Sequence, residues 1–157
     1  MFNRFNKILI IGIGLLGGSI AKRIKIQLPE CIIFGYDPNP DTCVLAIKST
    51  VFNQVSHNLS KLPTDIDLVF VCSPIDHICK NIKEVSNHIK SSVVICDISS
   101  VKKPILDNLP PLNEHQVFLS AHPMAGKEKS GFKYSEAALF DKKTIILFPS
   151  KNYDLNF

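Results

Sequence analysis

A chain of 157 residues, 45% hydrophobic and 20% charged, has the bulk and balance of one globular domain, and this excludes a disordered chain. Eighteen Lys and Arg against fourteen Asp and Glu leave a net charge of +4. No five like charges run together and basic residues do not interleave with aromatics, which argues against nucleic-acid binding.

In chain order, short β-rich runs alternate with helical patterns. Lys7–Ile11 is a continuous apolar run ending in glycine, which predicts a buried strand. Leu15–Gln27 follows as a helix, with Leu16, Ile20 and Ile24 at spacing four and basic residues toward its C-terminal end. Cys31–Tyr36 predicts a second strand, closed by the breaker cluster Asp37-Pro38-Asn39-Pro40, and Asp41–Lys48 a short helix. Val51–Val55 reads as a weak strand and Ser56–Thr64 as a loop. Asp67–Cys72 is a third clear strand. Beyond it Ile75, Ile78, Cys79, Ile82, Val85 and Ile89 form one apolar helical stripe, with Ser73 as its expected cap and Pro74 at its first position. Val93–Cys96 predicts a strand, Pro104–Leu109 a short helix, and Val117–Ala121 a strand. Lys133–Leu139 predicts another short helix and Thr144–Phe148 a last strand.

The longest apolar stretch, Ile8 to Ala21, is broken by four glycines and a serine. It falls short of the roughly 18 continuous apolar residues of a membrane span, and no small-residue cleavage site marks it as a signal peptide. The expectation is therefore no membrane association. The five cysteines are odd in number and no two are spaced C-x-x-C, as expected of a reduced, cytoplasmic protein without a disulfide framework. No histidine pair stands at metal-binding spacing with Cys or a carboxylate, so no metal site is expected.

Strand–helix–strand units of this length, with strands apolar on both faces, predict an α/β fold: a Rossmann-like, doubly wound, mostly parallel sheet with helices on both faces. The dinucleotide-binding domain is expected over residues 1–149, with a short C-terminal tail at 150–157.

Gly12-Ile13-Gly14-Leu15-Leu16-Gly17 follows a strand, opens a helix, and precedes by some twenty residues an acid at the end of the next strand. That setting turns a weak motif into a specific one for dinucleotide binding. Gly12 permits the tight turn, Gly14 lets backbone approach a pyrophosphate beside Leu15 and Leu16, and Gly17 allows helix and strand to pack closely. Asp37 is placed to accept hydrogen bonds from an adenosine ribose, and can also cap its own turn. A 2′-phosphate would meet its carboxylate, and residues 37–42 offer no Arg or Lys, so NAD is favoured over NADP.

Ligands of open parallel sheets sit beyond the carboxyl ends of the strands. Three polar clusters lie there: Ser73-Pro74, Asp97 to Ser100, and His122 onward. Proline after His122 holds that residue extended, and its imidazole suits proton chemistry near neutral pH. Ser100 is expected beside it, orienting the ring or touching a substrate hydroxyl.

The set G-I-G-L-L-G-G-S (12–19), G-Y-D (35–37), D-I-S-S-V-K (97–102) and H-P-M-A-G-K-E-K-S-G (122–131), with L-F (139–140), resembles the prephenate/arogenate dehydrogenases of tyrosine biosynthesis from Lys7 to Pro149. The resemblance implies an NAD(P)-dependent oxidative decarboxylation of prephenate or arogenate. It makes His122 the catalytic histidine, Ser100 the serine that contacts both that histidine and the substrate hydroxyl, and Glu128 a glutamate near the substrate entrance. It sets Ser73, Pro74 and Ser99 at the nicotinamide end. Lys127 stands where the family commonly has a small hydroxyl residue. Family members continue into a helical, dimer-forming domain, which implies a helical-domain partner chain or self-association through exposed apolar surface. The alternative reading is a truncated NAD-binding module without turnover. A related hydroxyacid or imine reductase is disfavoured by the His122 element.

Overall fold

The computed structural model describes residues 5–148; the expected tail at 150–157 lies outside the described residues. Seven strands form one sheet: β1 (Lys7–Ile11), β2 (Ile32–Tyr36), β3 (Gln54–Ser56), β4 (Leu68–Val71), β5 (Val93–Asp97), β6 (Gln116–Pro123) and β7 (Ile145–Phe148). They are interleaved with helices α1 (Leu15–Gln27), α2 (Pro40–Lys48), α3 (Ile75–His88) and α4 (Lys103–Asp107). The spatial order is β3-β2-β1-β4-β5-β6-β7. β1 through β6 pair in parallel, and β7 returns antiparallel on β6 with His122 opposite Ile146. The order reverses between β1 and β4, where an open parallel sheet leaves a crevice for ligands. The doubly wound α/β expectation holds.

Side chains alternate across a strand, so a strand covered on both faces must be apolar throughout. β1 does this: Leu9 and Ile11 join Ile78, Ile82 and Val85 of α3 on one face, while Ile8 and Ile10 join Ala21 of α1 and Ala46 of α2 on the other. Truncating Ile82, fully buried, to Ala would cost about 2–5 kcal/mol. The breaker cluster after β2 also starts α2: Asn39 Oδ1 accepts from the Asp41 amide at 2.8 Å, and Pro40 occupies the first turn.

Four local expectations need correction. Ser73 does not cap α3; the helix starts one residue later, Pro74 takes the cap position, and the Ser73 hydroxyl accepts from Asn81 Nδ2 at 2.7 Å. The third strand runs Gln54–Ser56 rather than Val51–Val55, because Asn53 Oδ1 takes the Ile33 amide that a ladder would use. The loop after it holds a 3-10 turn at Leu59–Lys61, started by Asn58, whose side chain accepts from the Ser60 amide. The helix expected at Lys133–Leu139 is two 3-10 turns, Phe132–Tyr134 and Ala137–Phe140. Extended backbone at Ser135 and Glu136 separates them, held by the Glu136 amide donating to Ser19 Oγ of α1.

Candidate active site

The glycine-rich turn joins β1 to α1 at the crevice. Gly12 has φ +87° and donates its amide to the Tyr36 carbonyl at 2.8 Å. A Cβ there would stand 2.8 Å from the Ser73 amide nitrogen, so this turn admits only glycine. Gly14 is the N-cap of α1 and differs in kind: a Cβ on it would meet nothing within 4 Å, because it faces the crevice. α1 has no side-chain cap and no acid in its first turn, which leaves its opening amides and its positive dipole end for an anion. Gly17 lines neither cavity of the site. Buried within α1, it lies where a Cβ would come 2.2 Å from the Gly12 carbonyl.

At the end of β2, Asp37 serves two masters. Oδ2 accepts the Ile13 amide at 2.9 Å and Oδ1 the Asn39 amide at 3.0 Å, so the acid ties the glycine-rich turn to the turn it caps. Its carboxylate still borders a cavity of about 700 Å³, together with Gly12, Gly14, Leu15, Leu16, Ser73 and Pro74. The far wall is a polar stripe of α3: His77, Lys80, Asn81 and Glu84. Their i, i+3, i+4, i+7 spacing is legible in the sequence, but the sequence reading followed only the apolar stripe of this helix. Cys72 and Tyr36 also line this cavity, and burial pushes both above their ordinary pKa ranges.

A second cavity, of about 400 Å³, adjoins the first through the shared residues Leu16 and Ser73. Ser99, Ser100 and His122 all line it. His122 is half-buried, next to last in β6, where the pleat aims it opposite to the neighbouring buried Ala121 and Pro123. Ser99 and Ser100, just after β5, and His122, near the end of β6, thus meet in one space. Glu128 sits exposed on the loop beyond and lines neither cavity. The Lys127 ammonium is 2.7 Å from the Glu136 carboxylate.

Behind Ser99 and Ser100 lies a pair that sequence reasoning did not single out. Asp97, fully buried at the end of β5, accepts from Lys102 Nζ at 2.7 Å, from the Ser99 amide at 3.0 Å and from Ser120 Oγ at 2.6 Å. Among the described residues no buried side-chain nitrogen or oxygen lacks a partner.

The family model described as "prephenate dehydrogenase, nucleotide-binding domain" matches residues 20–156. That match starts beyond the glycine-rich turn. The cyclohexadienyl dehydrogenase of Zymomonas mobilis is 31% identical over 149 residues, covering 92% of this chain and 50% of its own. The prephenate dehydrogenase of Bacillus subtilis is 30% identical, over 94% of this chain and 40% of its own. Among solved structures, the Aquifex aeolicus prephenate dehydrogenase in complex with hydroxyphenyl propionate and NAD+ superposes with a TM-score of 0.88 at 31% identity, over 98% of this chain and 54% of that one. Synechocystis arogenate dehydrogenase gives 0.85 at 26% identity, over 95% and 52%. This chain therefore spans about half the length of the relatives it matches. With the family model matching most of its residues and relatives at 30–31% identity over more than nine-tenths of its length, the chain belongs to the prephenate dehydrogenase family and carries that family's nucleotide-binding domain.

Proposed function

We propose that this chain binds NAD in the glycine-rich crevice and, together with a helical domain, catalyses the NAD(P)-dependent oxidative decarboxylation of prephenate or arogenate in tyrosine biosynthesis. The observation that carries the reading is the adjacency of the two cavities: the crevice lined by the glycine-rich turn and Asp37 adjoins a space lined by Ser100 and His122. The crevice fits the cofactor on its own chemistry, since Gly14 leaves room for phosphate beside uncapped amides and Asp37 offers a carboxylate to ribose hydroxyls. NAD, when bound, supplies the hydride acceptor.

The chain's residues do the rest. The opening amides of α1 hold the pyrophosphate, Asp37 holds the adenosine ribose, and its charge disfavours NADP. Ser73, Pro74 and Ser99 border the nicotinamide end. His122, neutral, accepts the proton of the ring hydroxyl as the carbonyl forms, and Ser100 orients that hydroxyl. Glu128 acts at the substrate entrance. Either substrate carries two carboxylates and needs cations in a dry site to be positioned. Lys127 is engaged by Glu136, and the helical domain is the proposed source of further cations. The five cysteines, all free, fit a reducing cytoplasm, and among the described residues no helix is long and apolar enough to cross a membrane.

The test is NADH formation at saturating NAD+ with prephenate and, separately, with arogenate, for the chain alone and with a helical domain supplied. Turnover in either arm supports the proposal. NAD+ binding without turnover in both arms selects the second reading, a nucleotide-holding module. No binding at all overturns both.

A further inference from the structure

Lys102 carries a cation into a place where cations are costly. Its side chain is only 9% exposed, and its ammonium makes two short bonds: 2.7 Å to Asp97 Oδ1 and 2.6 Å to the Ala121 carbonyl oxygen. It also lies 5.8 Å from the centre of the Phe148 ring. Asp97 spreads the connection further, accepting from the Ser99 amide, the Ser99 hydroxyl and the Ser120 hydroxyl. One ammonium thereby joins the end of β5, the loop bearing Ser99 and Ser100, the peptide that links Ala121 to His122, and the last residue of β7.

A buried ion pair contributes little net stability, because desolvation offsets most of the attraction, and apolar residues of equal volume often serve as well. What this pair supplies is direction. The carbonyl that Lys102 grips belongs to the peptide whose far side is the His122 amide. Turning that peptide turns the plane from which the imidazole springs. Ser100, two residues before Lys102 in sequence, is held from the other side through Ser99 and Asp97.

We propose that Lys102 is a positioning residue for His122, acting through the Ala121 carbonyl and the Asp97 carboxylate so that the imidazole and Ser100 face the same cavity. The role in catalysis rests on the dehydrogenase reading above; the positioning itself does not. Lys102 touches neither cavity and is not itself a reacting group.

The experiment compares the wild-type chain with the charge-neutral double variant D97N/K102M, which keeps a polar partner for Ser99 and Ser120 while deleting the grip on Ala121. Imidazole nitrogen and ring-proton NMR signals of His122, identified by their loss in H122N, are the primary readout. Signals of His57, His77, His88 and His115 serve as internal controls. The expected result is displacement or broadening of the His122 signals alone, with an unchanged NAD+ dissociation constant. In the turnover assay kcat falls about a hundredfold, the scale of an ångström-sized misplacement, while KM moves far less. A folded double variant whose His122 signals match wild type overturns the proposal, as does equal movement of all five histidines. Should the double variant not fold, K102R replaces it: a planar fork cannot reproduce both short bonds of a point ammonium, so His122 shifts there too, and an unmoved His122 overturns the proposal. Absence of turnover in the wild type counts against the dehydrogenase reading and leaves the NMR result decisive for positioning.

Discussion

The Asp37 carboxylate accepts the Ile13 amide at 2.9 Å, so the acid that ends the second strand is bolted to the turn that follows the first. The residue proposed to read the ribose thus also shapes the turn proposed to hold the pyrophosphate. Asp37→Ser is expected to weaken NAD+ binding about tenfold, one to two hydrogen bonds' worth, and to cost about 1 kcal/mol of stability through the unpaired Ile13 amide. NADP+ binding should improve relative to NAD+, because the repelling charge is gone. Titration calorimetry with both nucleotides checks this, and an unchanged preference ratio would remove Asp37 from specificity.

The glycines of the turn should separate when substituted. Gly12→Ala strains a backbone at φ +87° and pushes a methyl against the Ser73 amide, so it should destabilise by about 1–3 kcal/mol. Gly14→Ala meets nothing, so its melting temperature should stay close to wild type while NAD+ affinity drops. Thermal melts paired with nucleotide titrations distinguish the two. Equal loss of stability in both variants would refute the assignment of Gly14 to the ligand.

Much of this was legible because a few residues carry unambiguous local physics. The continuous run Lys7–Ile11, the glycines after it and the stripe on Ile75–His88 each admit one structure, and they set the crevice. Elements whose geometry is decided by distant partners were not legible. Ser73 fits an N-cap by spacing, yet its hydroxyl serves Asn81 once Pro74 takes that position. The 133–139 segment has helical composition, but Ser19 of α1 captures the Glu136 amide and splits it. Asp97 was legible as the start of a polar cluster, but its pairing with Lys102 was not, because β6 supplies the carbonyl and hydroxyl that bury the two. The lining role of α3 was missed for a weaker reason, since its polar stripe has plain helical spacing.

His122→Asn removes the proposed proton acceptor while leaving a polar side chain of similar reach. Turnover should fall by roughly 10²–10⁴, the contribution of a positioned general base, with NAD+ affinity unchanged. Ser100→Ala should lower turnover less. In the wild type the rate should decline on the acid side, because a protonated imidazole has no lone pair for the hydroxyl proton. A pH–rate profile flat on that side would show that His122 is not the acceptor.

The cysteines predict an alkaline weakness. Burial raises Cys31, Cys43, Cys72 and Cys79, and burial together with the Asp97 charge pushes Cys96 up to about 12. With the folded-state pKa raised above that of the unfolded chain, the unfolded chain loses its thiol protons first as pH climbs. The stabilising contribution of the neutral thiols is therefore complete below about pH 9 and is lost between there and about pH 12. Melting temperatures across that window should fall, and fall less steeply in Cys96→Ala, which has one such group fewer. A parallel decline in both proteins would mean that Cys96 ionises as freely folded as unfolded.

The last strand brings an association hazard with it. Ile145 and Leu147 are each 51% exposed and Ile146 is 41% exposed, so β7 shows apolar side chains on both faces. Among the described residues its outer edge pairs with no strand. An apolar edge strand exposes a row of unsatisfied amides and carbonyls beside hydrophobic surface, which favours pairing with another chain. The chain alone is accordingly expected to self-associate, its weight-average mass in sedimentation equilibrium rising with concentration. Ile145→Lys with Leu147→Lys places two charges on one face of that edge, and should give a monomer whose NAD+ affinity is intact because the crevice lies between β1 and β4, three strands away. Exposed positions of this kind rarely change stability by more than about 0.5 kcal/mol, so the melting temperature should barely move. A wild-type chain that stays monomeric at every concentration would mean that the twist and brevity of β7 already protect its edge, and would count against a partner domain seated there.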